Sequence, residues 1–162
     1  MRLPTRVRYA VRAVAELAER AKAGPVPVKD LARAQGISPK YAKQLMNQLQ
    51  RNGIVQGHPG LGGGYTLPRS PEEITVLDVY RAMGETVELA PCVGRRASCK
   101  RLPACAAGSM WVELSAALEK QLRSVTIDQL AARGRTSAGE GSTSIRARAR
   151  RPPKGRKSHD IP

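Results

Sequence analysis

Cys92, Cys99 and Cys105 are the chain's three cysteines, spaced Cys-x6-Cys-x5-Cys. Zinc centres favour Cys-x2-Cys pairs and four ligands, and neither condition is met. A looser spacing on a loop carrying Arg95, Arg96, Lys100 and Arg101 suits an iron–sulfur cluster, whose irons take thiolate ligands. Three unconnected thiols in a loop is the competing reading, and spacing alone does not choose. A second set of reactive groups stands at Lys40, Lys43, Gln44, Asn47 and Gln48. Lysines can neutralise phosphates there, while Gln and Asn can offer donor and acceptor pairs to base edges. No nucleophile–base pair, carboxylate dyad or cofactor fingerprint assembles elsewhere, so an enzyme is not expected. GLGGGY lacks the Lys-Ser/Thr that opens a helix in a phosphate-binding loop, and Tyr65-Thr66-Leu67 continues it as a strand.

Helical periodicity places the second set. Val7, Ala10, Val11, Val14, Leu17, Ala18 and Ala21 form the stripe of one amphipathic helix, ended by Gly24-Pro25. A short helix over Val28–Gln35 is broken by Gly36. Ser38 and Pro39 then start a third helix, an N-cap followed by Pro at the first position. Its apolar side is Tyr41, Ala42, Leu45, Met46 and Leu49, and Asn52-Gly53 closes it. Two short helices across a tight turn, the second exposing Lys, Gln and Asn, make a helix-turn-helix pattern. Ile54–Gln56 and Tyr65–Leu67 read as strands joined by a Gly-rich hairpin loop, the wing of a winged helix. Thr75 can cap a helix through Met83, the stretch 84–104 is irregular, and a longer helix runs from Ala106 to about Arg123 with Trp111, Leu114, Ser115, Leu118 and Leu122 along one stripe.

Composition agrees with this assignment. The 162 residues hold 28 Lys and Arg against 13 Asp and Glu, a net charge of +15. Such an excess implies a polyanionic partner, either nucleic acid or an anionic membrane surface. No apolar run approaches the roughly 18 residues of a spanning helix, so the partner expected is nucleic acid. Arg residues interrupt MRLPTRVRYAVRAVAELAER where a signal peptide would be unbroken, and a cytoplasmic location with reduced thiols is expected. Phe is absent, so the core must be aliphatic. Residues 134–162 carry eight Lys or Arg and two acidic residues with almost no large apolar side chain, and read as a disordered basic tail.

The expected fold is mainly α: a winged helix-turn-helix domain with a small β-hairpin wing and a long C-terminal helix. Its expected parts are DNA-binding domain 1–84, cysteine loop 85–105, the long helix with a short closing helix 106–133, and tail 134–162. Candidate DNA contacts are Ser38, Lys40, Tyr41, Lys43, Gln44, Asn47, His58, Gly62 and Gly63; the glycines allow close approach of the wing to the DNA backbone.

The stretches MRLPTRVRYAVRAVAELA, GPVPVKDLARAQGISPKYAKQLMNQLQRNGIV and GLGGGYTL resemble the Rrf2 family of bacterial winged-helix regulators. The likeness continues through the three cysteines and CAAGSMWVELSAALEKQLRSVTIDQLA, covering about residues 1–133. It implies a homodimer on a palindromic double-stranded DNA operator, with the long C-terminal helix from Ala106 as the dimerisation helix. It also implies an iron–sulfur cluster held by Cys92, Cys99 and Cys105, of the 2Fe–2S type in preference to 4Fe–4S. Some cluster-binding members carry His three residues after the last Cys, where this chain has Gly108; others use an acidic residue before the first Tyr-Ala pair, where it has Arg8. Glu85, Glu88, His58 or a small molecule remain open as fourth ligand. Lys43 stands where such members often have Glu, and a cation favours guanine or phosphate over cytosine N4. Pro59 replaces an Arg often found in the wing, leaving His58 as the polar contact there. Two other readings share the sequence: the same fold without a cluster, sensing through thiols or a partner protein, and a non-specific basic nucleic-acid-binding protein.

Overall fold

The computed structural model describes residues 3–91, 93, 99, 100 and 104–140, with side chains as far as Gly134. Cys92, Arg95, Arg96, Arg101 and the tail beyond Glu140 lie outside the described residues. Helix α1 spans Thr5–Glu19 and is followed by a 3₁₀ turn at Ala21–Ala23; α2 spans Val28–Gln35 and α3 Pro39–Arg51. Strands β1 (Gln56–His58) and β2 (Gly64–Thr66) pair antiparallel, and α4 (Val76–Ala82), α5 (Ala106–Ser124) and α6 (Ile127–Glu140) follow. The expected mainly α fold with a two-stranded wing is present.

Both helices of the helix-turn-helix end in the same way. Ile37 N–H donates to Ala32 and Gly36 N–H to Arg33, while Ile54 N–H donates to Leu49 and Gly53 N–H to Gln50. These are Schellman closures, and each needs a left-handed residue: Gly36 has φ 65° and Gly53 φ 69°. At the start of α3, Ser38 Oγ accepts from Tyr41 N–H at 3.2 Å, with Pro39 in the first turn. Turn chemistry therefore fixes α2 and α3 at both of their shared ends.

The core lies between α1, α2, α3, α4 and α6. Leu17, Leu31, Met46, Leu49, Ile74, Leu77, Met83 and Ile127 are fully buried in it. Among the described residues every buried apolar side chain is aliphatic or Met, and Tyr9, Tyr41, Tyr65 and Tyr80 pack only at its margin. Of the stripe expected on α1, Val7, Ala10, Val14 and Leu17 are buried, whereas Ala21 is exposed in the 3₁₀ turn.

Two expectations shift. The first strand begins at Gln56 rather than Ile54, because Ile54 spends its N–H on the α3 closure and Ile54 and Val55 turn into the core. The last helix is longer than the short one expected and runs to Glu140, beyond the boundary placed after residue 133. It packs along α1, and its start is capped reciprocally by Thr126 and Gln129. Thr75 and Asp78 form a similar box on α4, and the segments before α4 and α6 bridge through Val76 N–H to Val125 O and Ile127 N–H to Ile74 O.

The wing is held to the body by Val26, which exchanges two backbone hydrogen bonds with Tyr65 at 3.0 and 2.9 Å. Gly64 makes that approach feasible: a Cβ there would lie 2.3 Å from the Val26 carbonyl oxygen and 2.7 Å from Pro27 N. Backbone rather than a flexible side chain stands in the way, so Gly64→Ala should destabilise by ~1–3 kcal/mol. Chemical denaturation checks this, and a midpoint equal to wild type would show that the wing does not depend on the Val26 bridge.

Candidate nucleic-acid interface and cysteine loop

Helix α3 is sharply two-sided. Ala42, Leu45, Met46 and Leu49 are buried, while Lys40, Lys43, Gln44, Asn47 and Arg51 are exposed at the spacings that align residues on one face. Four of the expected contacts are thus brought together on one open stripe: Lys40, Lys43, Gln44 and Asn47. Arg51 extends it, and was not singled out from sequence although its position seven residues after Gln44 gives it the same face. Gln48 does not belong there. It is half-buried, and its Nε2 donates to the Ala82 carbonyl at the end of α4, 3.3 Å away. Asn52 Nδ2 donates to the same carbonyl at 3.1 Å and to Gln48 O at 2.9 Å.

At the N-terminal end of α3, Tyr41 is half-buried and meets Tyr9 edge-on, ring centroids 6.2 Å apart. The guanidinium groups of Arg8 and Arg12 lie 5.3 and 5.8 Å from the centre of the Tyr9 ring. Two α1 cations thereby stand close to the start of α3, a location the sequence pattern does not announce.

The wing leans on α3 as well as on Val26. Tyr65 Oη donates to Asn47 Oδ1 at 3.4 Å, which leaves the Asn47 amide hydrogens available. His58 is half-buried in β1, with Nε2 2.8 Å from Thr66 Oγ1. Gly62 and Gly63 stand at the turn of the hairpin, and a groove between wing and α2 is lined by Lys29, Gln50, His58 and Tyr65. Lys29, exposed in the first turn of α2, is a further cation on this side.

After α4 the chain enters the cysteine segment. Glu85 accepts from Arg6 Nε at 2.8 Å and also from Nη2, so this candidate ligand is committed to a guanidinium. Leu89 N–H donates to Ser115 Oγ on α5 at 3.1 Å, and Glu119 of α5 binds both Arg81 and Arg123. Cys99 is exposed and Cys105, the N-cap residue of α5, is half-buried; both are free thiols. Gly108 is buried in the first turns of α5, and Glu88 is exposed. Among the described residues, which do not include Cys92, no three His, Cys, Asp or Glu side chains gather to hold a metal ion. Among the same residues no helix is long and apolar enough to cross a membrane.

The model of the Rrf2 family, described as an iron-dependent transcriptional regulator, matches residues 3–133. The chain belongs to the Rrf2 family. It is 39% identical over 130 residues to the HTH-type transcriptional regulator IscR of Pectobacterium atrosepticum, covering 80% of this chain and 79% of that protein. IscR of Escherichia coli is 38% identical with 80% of each chain covered. Among solved structures, T. potens IscR has a TM-score of 0.65 at 29% identity, covering 83% of this chain and 88% of that one. CymR of B. subtilis, titled the global cysteine regulator, gives 0.68 at 27% identity over 82% and 98%. The oxidised form of Staphylococcus aureus CymR gives 0.64 at 28% identity over 81% and 96%. This Rrf2 protein is a DNA-binding transcriptional regulator of the IscR type, and its relatives are regulators rather than enzymes.

Two predictions follow from the geometry around α4. Because Gln48 ties α3 to α4, Gln48→Ala should cost about 1 kcal/mol of stability and leave base preference unchanged. Altered base preference in a selection experiment would return Gln48 to the DNA face. Tyr80 has its phenol pushed above the usual 10.0, first by burial and then by the Glu85 carboxylate. The folded state holds this proton more tightly than the unfolded chain, so stability falls as pH rises past about 10. Tyr80→Phe should remove that part of the decline, and coincident pH–stability curves for the two proteins would show that it does not arise at Tyr80.

Proposed function

We propose that this Rrf2 protein acts as a homodimer on a palindromic double-stranded operator and that a Cys-ligated iron–sulfur cluster sets its affinity. One observation carries the reading: the family match over residues 3–133, which includes Cys92, Cys99 and Cys105, together with 39% identity to IscR. The donor set fits such a group. Cys99 and Cys105 are free thiols, and Cys105 stands at the N-cap position of a 19-residue helix whose positive dipole end favours an anionic group. Cys92, Cys99 and Cys105 would hold the cluster, 2Fe–2S in preference to 4Fe–4S, and it would supply iron that responds to redox state, iron–sulfur supply or nitric oxide. Gly108 offers no donor side chain and Arg8 is a cation, so neither supplies a fourth ligand.

The chain's own residues provide the path from that loop to DNA. Ser115 holds Leu89, Arg6 holds Glu85, and the Ala82 carbonyl at the end of α4 receives Gln48 and Asn52 of α3. A change in the cysteine segment therefore biases the set of the recognition helix. On that helix Lys40 and Lys43 meet phosphate or guanine and Gln44 and Asn47 read base edges, with Ser38, Tyr41, His58, Gly62 and Gly63 completing the contact surface. A second copy covers α5, whose only buried residue in the single chain is Gly108 and which exposes Met110, Val112 and Leu114. The segments 1–84 and 85–105 then serve as reader and sensor and 106–133 as dimerisation helix and closing helix, in the cytoplasm, and the basic tail adds sequence-independent affinity.

One observation favours a second reading. Cys99 is an exposed thiol, and an oxidised CymR is among the similar structures; a cluster-free thiol sensor would use Cys99 directly.

Anaerobic purification separates the two. The cluster reading expects a coloured protein with visible and EPR signals, iron and inorganic sulfide bound to the chain, and their loss in Cys92→Ala, Cys99→Ala and Cys105→Ala. A colourless, folded protein under strict anaerobiosis assigns the thiol reading instead. On DNA, Gln44→Ala should cost ~1–3 kcal/mol on a specific site, while Lys40→Ala should weaken all DNA similarly and reduce the salt slope by about one unit. Equal losses of specific and non-specific binding in Gln44→Ala would remove it from base reading.

A further inference from the structure

Leu61 is the apex of the wing and has no cover, with a relative exposure of 109% against 43–55% for the other exposed large hydrophobics among the described residues. Covering a leucine side chain is worth about 1.5–3 kcal/mol, so an apex left bare forgoes that contribution in the free protein. Its neighbours Gly60 and Gly62 have φ 94° and 79°, add no width to the tip, and the turn closes through Gly63 N–H to Gly60 O at 3.0 Å. The tip is not loosely hung. Tyr65 bonds Val26 on one side and Asn47 of α3 on the other, so the position of α3 on DNA fixes where Leu61 arrives.

A recognition helix in the major groove brings the adjoining hairpin over the neighbouring backbone and minor groove. Leucine has neither charge nor hydrogen-bonding group, so it offers nothing to a phosphate. The apolar surface within its reach is the sugar wall and base-step edge of the minor groove, whose width of about 6 Å admits a glycine-flanked tip. We propose that Leu61 is an apolar wedge that enters the minor groove beside each half-site and partly unstacks one step. Flexible pyrimidine–purine steps yield most easily, so this residue adds a preference at a position no polar side chain reads. The inference rests on operator recognition by the α3 face.

The test is selection from a randomised duplex library by the full-length, anaerobically purified protein and its Leu61→Ala and Leu61→Arg variants, with end-labelled energy transfer to measure bending of the selected duplex. Wild type should enrich TA or CA/TG at a fixed distance outside each half-site. Leu61→Ala should lose that enrichment, bend the duplex less and bind it about 3- to 10-fold more weakly, with an unchanged melting temperature because nothing packs on Leu61. Leu61→Arg should shift the flank toward A-tracts, whose narrow groove attracts cations. Flank enrichment and bend retained in Leu61→Ala overturn the wedge while leaving operator reading intact, and so does weaker binding with both unchanged. A wild type that selects no sequence at all overturns operator reading and the wedge together.

Discussion

At the end of α4 the backbone carbonyl of Ala82 accepts hydrogen bonds from Gln48 and Asn52, two side chains of the recognition helix. A carbonyl has two lone pairs, and here both donors come from one neighbour. Next in the chain come Met83, fully buried, and Gly84, whose N–H closes the helix on Arg81. Residue Glu85 is then gripped by Arg6 of α1. The DNA-facing helix, the first helix and the entry to the cysteine segment thus meet within four residues of chain. Displacing any one of them strains hydrogen bonds made by the others, and this is the physical basis of the coupling proposed between loop and reader.

The same molecule must be strongly basic and still fold. Four of its acidic residues offset repulsion in pairs that lie off α3: Glu16 on Arg20, Asp30 on Arg33, Glu85 on Arg6, and Glu119 between Arg81 and Arg123. Helix α3 contains no acidic residue, and among the described residues no ion pair involves Lys40, Lys43 or Arg51. Exposed pairs contribute little to stability, so this partition matters less for folding than for binding. Cations without protein partners keep their whole charge for displacing counterions from phosphate.

Local chemistry made much of this legible in sequence. Gly36, Ser38-Pro39 and Asn52-Gly53 each specify a backbone conformation by themselves, so the boundaries of α2 and α3 could be read from residue types. What could not be read depended on partners distant in sequence. The start of β1 moved because Ile54 N–H was already engaged by Leu49. Gln48 looks like a base reader by type, but stands at the edge of the polar stripe where α4 covers it. His58 offered a polar contact, yet the hairpin register places Thr66 within reach of its ring. Helix α6 packs on α1, and its run to Glu140 lies in a Gly- and Arg-rich stretch whose periodicity does not announce it. For the thiols, sequence gives residue types and spacing, and the structure adds the exposure of Cys99 and the capping position of Cys105.

Arg8 shows how one position can change what a surface does. An acidic residue there, as the family resemblance supplies for some cluster-binding members, would be a candidate donor to iron. In this chain the guanidinium lies over Tyr9, Arg12 approaches the same ring, and Tyr9 packs edge-on against Tyr41 in the first turn of α3. Ring faces are electron-rich and attract cations, so the two arginines are gathered rather than dispersed. Their charge adds to the positive end of the α3 dipole, at the helix terminus where anions are favoured. A position available for metal ligation elsewhere in the family has become part of the positive potential around the recognition helix. Under the proposed ligation, the three cysteines then act without an acidic donor from this position.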